Sequence, residues 1–393
     1  MLSRRYFRIF GFQISWSHIL MGTPFCWNRK ERRLFVTKFS QIKYTIAVSF
    51  LIGYGLFLVG QVIRFKMMGK TTDFYFYFLY ALAVCAVIDT LAASPFLLKS
   101  KQAAALITEL WNFLDEICCD YMPTFDPNVS CDSWIFDIFL TGIGALFPLF
   151  GLIISCHYLL FPHWPVYLSS LVDPEDLTID ILLASGLIYF YGLQMIWAFL
   201  LNVCVVLLTI GRYCWLLADE FYCDDGSQGK KILYQKTTSA FHQMDTYRLY
   251  YRQFEILHVN VLQVFSFIIV PGQALILNLA LFCNFSLVRY SELMNVTNAF
   301  ILLLWSIGGS FAAFLGLHYC GSMYNKSVKV LRSIGNKNWG SSHNNKLMKK
   351  FAKSCKPISY GYGRMYVIRK ISVFKFFLSL IRGTFRALLT IKG

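Results

Sequence analysis

Three polar side chains interrupt long apolar runs of this sequence: Asp89, Asp137 and His157. An acid and an imidazole that met could pass a proton to and from a reacting group. Asp137 and His157 share one apolar run, where the rise of a helix puts them about 30 Å apart, so they cannot serve one reaction centre. Twelve cysteines include the adjacent pair Cys118 and Cys119, but there is no CxxC pair and no His/Cys group at metal-ligand spacing. No metal or other cofactor is expected, and the chain does not read as an enzyme.

The elements that carry these groups are membrane helices. Of 393 residues 56% are hydrophobic and 15% charged, with a mean hydropathy of +0.51, against about 25% charged in a soluble domain. The net charge of +16 does not point to nucleic acid, because basic residues alternate with apolar runs instead of forming one patch. The first 43 residues hold nine Lys/Arg and no long apolar core, so no cleaved signal peptide is expected.

Windows of about 20 apolar residues mark seven spans, at 44–63, 74–98, 134–160, 180–210, 259–283, 297–319 and 371–391. The expected fold is all-α, one seven-helix membrane domain over 1–393. The N-terminus and the loops after spans two, four and six hold 29 of the 37 Lys/Arg; the other loops and the C-terminus hold five; Lys375, Arg382 and Arg386 lie in span seven. That asymmetry predicts a cytoplasmic N-terminus and an extracellular C-terminus. The sequons at Asn284 and Asn295 then fall outside and are compatible with glycosylation, whereas those at Asn128 and Asn325 fall inside. The loop at 161–179 has no Lys/Arg but carries Asp173, Glu175 and Asp176, as an external lid would. Near-helical spacing in 211–258 predicts that spans four and five continue as cytoplasmic helices, and the basic stretch "HNNKLMKKFAKSCKP" a short helix ended near Pro357, together a cytoplasmic helical layer over 211–258 and 321–370.

Seven spans suggest a G-protein-coupled receptor, but the inferred topology is inverted, no Asp-Arg-Tyr or Asn-Pro-x-x-Tyr motif is present, and only Lys392 and Gly393 follow span seven. A transporter would show paired Gly/Pro-broken spans from inverted repeats; Pro148 and Pro271 interrupt spans three and five, and the odd span count fits poorly. Both remain alternatives at this level.

The stretch "KSCKPISYGYGRMYVIRKISVFKFFLSLIRGTFRALLTI" resembles the Lys-Pro, Gly, aromatic lead-in and last helix of the arthropod gustatory and odorant receptor superfamily. Length, topology, loop sizes and the near absence of a tail extend the resemblance over the whole chain. The gustatory Thr-Tyr, five residues, Gln-Phe signature maps onto Thr384, Phe385, Ile391 and Lys392, where the threonine and an aromatic survive. The resemblance implies a tetrameric ligand-gated cation channel at the plasma membrane of a sensory neuron dendrite. It would be a homotetramer or a heterotetramer with a coreceptor, surrounded by membrane lipid. Span seven would line a central pore, and a ligand pocket would lie between spans two, three, four and six. The 48-residue loop between spans four and five is shorter than a coreceptor's, which reads as a ligand-tuned receptor.

Taking Leu388 as the gate, where the family places its constriction, a step of about 100° per residue sets Phe377, Ile381, Thr384 and Ile391 within about 60° of it. Lys375, Arg382 and Arg386 fall on the far face, which leaves cation conduction open, and a ring of aliphatic side chains gates by dewetting. Arg386 and Lys375 can snorkel to an interface. Arg382, near mid-helix, costs on the order of 3 kcal/mol unless paired or hydrated. Asp89, the one acid well inside another span, is its expected partner.

The outer halves of spans two, three, four and six supply Tyr77, Tyr80, Phe150, Ile153, His157, Tyr158, Tyr189, Tyr191, Gln194, Phe300, Leu304 and Trp305. Aromatic walls with a few hydroxyl or amide groups suit small, mostly apolar organic ligands. Tyr and Trp also gather at membrane interfaces, so Tyr191, Gln194 and Trp305, whose polar groups would otherwise lack partners, carry most weight. His157 is expected to satisfy a backbone group. Apart from Asp180 at the rim, carboxylates are absent from these halves, which favours volatile or bitter organics over sugars.

Overall fold

The computed structural model describes residues 4–390 except 71–73, 123–136, 139, 143, 146–151, 153–154, 173–175, 177, 224–236, 295 and 363–364. Helix dominates. The first helix, α1 (Arg4–Ile19), is followed by an antiparallel hairpin of β1 (Phe25–Asn28) and β2 (Arg33–Val36) that pairs Phe25 with Val36. Then come α2 (Lys38–Met67), α3 (Phe74–Leu98) and α4 (Ser100–Tyr121). The third span is described in part, its last turns at 155–160 being labelled α5. Three long helices follow: α6 (Ile179–Glu220), α7 (Met244–Arg289) and α8 (Val296–Asn336). Short α9 (Ser342–Ser354), a two-residue hairpin of β3 (Gly361–Tyr362) and β4 (Tyr366–Val367), and α10 (Ile371–Thr390) complete the chain.

Local chemistry sets the helix starts. At α2 the Thr37 hydroxyl accepts from the Ser40 N–H and the Ser40 hydroxyl accepts from the Thr37 N–H, each at 3.0 Å, a reciprocal capping box. Thr178 caps α6 through the Ile181 N–H, and Ser341 caps α9 through the Asn344 N–H.

Among the described residues, five helices are long and apolar enough to cross a membrane: Lys38–Met67, Tyr75–Leu98, Ile179–Glu220, Met244–Arg289 and Val296–Asn336. Three of them outrun the expected spans. The helix α6 continues ten residues past 210, α7 begins fifteen before 259, and α8 runs seventeen past 319. Hydropathy marks the part of a helix that lies in lipid and is silent about its continuation into water.

The projecting ends pack with α1, α4 and α9 around one aromatic-rich core. Trp111 of α4 meets Phe7 and Phe10 of α1 and Trp27 of β1 edge-on, at 5.1–5.6 Å. Phe221 contacts Tyr247, Tyr251 and Phe254. Neither α1 nor α4 appears in a search for 20-residue apolar runs, because each is amphipathic and buries one face. A second core joins α3, α5, α7 and α8.

Two further features bear on function. Within α7, Pro271 has no N–H for the Phe267 carbonyl, which leaves a gap in the helix ladder. Two residues on, Gln273 accepts a hydrogen bond from the Tyr366 hydroxyl of β4 at 2.9 Å, tying α7 to the chain that leads into α10. The sequon asparagine Asn284 is also in α7, where its side chain accepts from the Ser306 hydroxyl of α8 at 2.5 Å while Phe285 and Ser286 are buried. A helical, packed sequon is a poor glycan acceptor, which overturns the external-loop expectation there. Asn325 lies within α8; Asn128, Asn295, Pro148, Asp173 and Glu175 are outside the described residues.

Candidate functional site

Four tyrosines from four parts of the chain converge beside α6. Tyr54 comes from α2, Tyr158 from α5, Tyr167 from the segment after it, and Tyr189 from α6. Tyr167 stands edge-on to Tyr158 at 4.8 Å and to Tyr189 at 4.7 Å, and Tyr158 and Tyr189 are 5.7 Å apart. With Phe50, Leu168, Ser185, Ile188, Gly192, Leu193 and Ile196 they line a cavity of about 20 Å³. That holds about one water, whereas an occupied organic site needs about 300 Å³ or more. An organic ligand would therefore have to open it. No lining residue carries a formal charge, so the chemistry on offer is apolar contact, ring stacking and phenol hydrogen bonding. The Tyr167 phenol is raised above its ordinary pKa by burial, and stays a donor.

The hydroxyls are held from behind. Tyr158 donates to the Leu182 carbonyl at 3.0 Å and lies 2.6 Å from the Ser185 hydroxyl. Tyr54 donates to the Val166 carbonyl at 3.3 Å. His157 bridges two elements: its Nδ1 lies 2.5 Å from the Tyr167 hydroxyl and its Nε2 3.2 Å from Oδ1 of Asn298 on α8. The neutral tautomer protonated at Nε2 satisfies both contacts, with Tyr167 donating. His157 thus satisfies side chains rather than the expected backbone group.

Tyr158 and Tyr189 are the expected ligand residues that line the cavity. Others gather in a separate aromatic group between α3, α7 and α8. Tyr77 packs on Phe285 and Tyr290, while Tyr80 packs on Phe282 at 4.2 Å and accepts from Asn278 at 3.1 Å. Trp305 stacks on Phe78 at 5.9 Å, and Leu304 is half-buried nearby. Trp164 links the two groups, touching Phe78 at 5.3 Å and His157 at 4.8 Å. Gln194 is buried in α6, whereas Tyr191 and Phe300 are exposed on the outside of the chain. Phe150 and Ile153 lie outside the described residues.

Phe50 and Tyr54, and Trp164, Tyr167 and Leu168, were not anticipated. The former belong to a span left out of the pocket, the latter to a segment read only for its charge. The aromatic density of "HYLLFPHWPVYL" in a loop was the available signal.

The last helix divides into three faces. Val373, Phe376 and Leu380 are buried against the rest of the chain, and Phe377, Gly383, Thr384, Ala387 and Leu388 are half-buried beside them. Phe374, Leu378, Ile381, Phe385 and Leu389 form an exposed apolar stripe, and Lys375, Ser379, Arg382 and Arg386 an exposed polar one. Of the expected pore stripe, Phe377, Thr384 and Leu388 therefore sit toward the rest of the chain, Ile381 faces outward, and Ile391 lies outside the described residues. Asp89 is buried within α3. Among the described residues it makes no ion pair with Arg382, so the expected pairing is not formed.

No family profile and no curated relative matches the sequence. Solved structures do. This multi-helix membrane fold is that of the insect olfactory receptors. The match to the olfactory receptor OR5 of Machilis hrabei in complex with eugenol has a TM-score of 0.68 at 12% identity, covering 98% of this chain and 100% of that one. The match to OR5 in the structure described without eugenol has a TM-score of 0.61 at 12% identity, covering 96% and 98%.

Proposed function

We propose that this chain is a chemosensory receptor subunit of the insect odorant and gustatory type, a ligand-gated ion channel that detects small, mostly apolar organic molecules. The observation that carries the reading is the uncharged four-tyrosine cavity, set in a fold that accommodates eugenol in OR5. The cavity offers ring faces to an apolar body and phenol hydroxyls to one polar group, the pairing a volatile or bitter organic requires. Its contacts with α2, α5 and α6 give a ligand a direct way to change helix packing. The chain would act at the plasma membrane, N-terminus in the cytoplasm, alone as a homotetramer or with a coreceptor as a heterotetramer.

The test is expression with and without an odorant coreceptor, recording current under a panel of volatile and bitter organics that includes eugenol. Current from the chain alone supports a homomer, and current only with the coreceptor a heteromer. Ligand-evoked G-protein signalling without current overturns the channel reading.

A further inference from the structure

A second cleft, of about 550 Å³, opens between the start of α7 and the helix α9 and shares no residue with the tyrosine cavity. Its size falls within the range of small-molecule sites. Arg248 and Arg252 stand about one turn apart on α7, as do Lys350 and Ser354 on α9. Arg252 donates to the Ser354 hydroxyl at 2.5 Å, which joins the two rows. The Phe351 ring lies 5.7 Å from the Arg248 guanidinium and 5.1 Å from that of Arg252, so cation–π contact positions both forks.

The two arginines are unequally satisfied. Arg252 is also paired with Glu255, which accepts in addition from the Lys356 N–H at 3.1 Å. Arg248 reaches an acid at 3.7 Å, Asp245, whose side chain is 86% exposed, and among the described residues its buried Nε–H meets no acceptor. Asp245 is the one acid on the lining. Along α9, Lys346, Lys349 and Lys353 join Lys350 as exposed cations, and no Asp or Glu follows Glu292 in the sequence. The helices α8, α9 and α10 thus hold no acid that could neutralise this charge. A concave surface of one sign concentrates counter-ions, and guanidinium forks match pairs of phosphate oxygens. Cations on two facing rows suit an anion charged on two sides.

We propose that this cleft binds a compact organic molecule carrying two or more phosphates, either free in solution or as the headgroup of a membrane lipid. Arg248 turns from Asp245 to one phosphate, Lys350 takes another from across the cleft, and the exposed Leu249 side chain covers part of the carbon skeleton.

The experiment titrates the full chain, purified in detergent, with inositol hexakisphosphate as the soluble probe and a short-chain phosphatidylinositol bisphosphate as the lipid one, and follows heat by calorimetry. Saturable binding of at least one probe is expected, weakened tenfold or more by Arg248→Gln and by Lys350→Gln. Lys30→Gln, on the turn of the first hairpin, should leave it unchanged. Asp245→Asn, which removes the opposing acid, should tighten it severalfold, a gain that a damaged fold would not give. Preference for the soluble probe assigns a free polyphosphate, and preference for the lipid a headgroup. No saturable binding of either probe, equal weakening by Lys30→Gln, or weaker binding by Asp245→Asn overturns the inference. Binding is read without current, so the result stands apart from the channel reading.

Discussion

The Tyr158 hydroxyl lies 2.6 Å from the Ser185 hydroxyl, so the ring that walls the cavity is also the clasp between α5 and α6. A ligand seated in the cavity would meet the same phenol that packs the two helices. Tyr158→Phe keeps the ring and removes contacts to Ser185 and the Leu182 carbonyl, a loss of about 1 kcal/mol for a typical hydrogen bond. The concentration of an effective organic giving half-maximal current is expected to shift about fivefold with surface expression close to wild type. An unchanged dose–response curve would separate this clasp from ligand sensing.

Gly192 is the lining position where a side chain must intrude. A Cβ there would stand 2.9 Å from the Phe50 ring, and a valine would fill space the ligand needs. Gly192→Val is expected to raise the half-maximal concentration at least tenfold for bulky organics, roughly the effect of 1.4 kcal/mol, and less for small ones. Equal shifts across ligand sizes would place the ligand elsewhere.

A second glycine tests stability and not recognition. Gly321 of α8 comes so near the chain entering α10 that a Cβ would lie 2.6 Å from backbone atoms of Arg369 and Lys370. Backbone cannot rotate aside as a ring can, so Gly321→Val should cost about 1–3 kcal/mol. Surface biotinylation should show loss of most protein, unlike Gly192→Val.

Acid sensitivity should enter through His242, on the turn before α7, whose pKa falls from 6.5 to about 4 through burial and then the nearby Lys337. The folded state thus binds fewer protons than the unfolded state between these values. This contribution is fully present above about pH 6.5 and is lost as pH falls toward 4. Melting of the detergent-solubilised protein should show that slope, and His242→Gln should flatten it.

Five of the seven expected spans fall in helices long and apolar enough to cross a membrane, legible because burial in lipid demands about 20 apolar residues whatever the tertiary contacts. The extensions of α6 and α7 were legible, because near-helical spacing in 211–258 already continues spans four and five, whereas the unbroken run of α8 past 319 had no such signal. The tyrosine cavity was half legible. Tyr158 and Tyr189 lie in the expected spans, but Tyr54 and Tyr167 arrive through packing of α2 and of a loop, which no periodicity encodes. On α10 the wheel separated apolar from basic residues correctly but had no way to tell which direction met the other helices of the chain. Exposure now supplies that direction, and with Asp89 sealed inside α3, combined Asp89→Arg and Arg382→Asp exchange is expected to restore no surface expression.

The missing bond at Pro271 gives α7 one soft joint in a rod of 46 residues, about 69 Å long. Bending a helix is cheapest where its ladder is already broken, so strain applied at either end concentrates there. The Gln273–Tyr366 bond lies two residues away, on the strand that feeds the last helix. A tilt too small to disturb the rest of the bundle would therefore be delivered to α10 as a displacement of its root. Mechanically, the proline acts as a fulcrum and the Tyr366 phenol as the short arm of the lever.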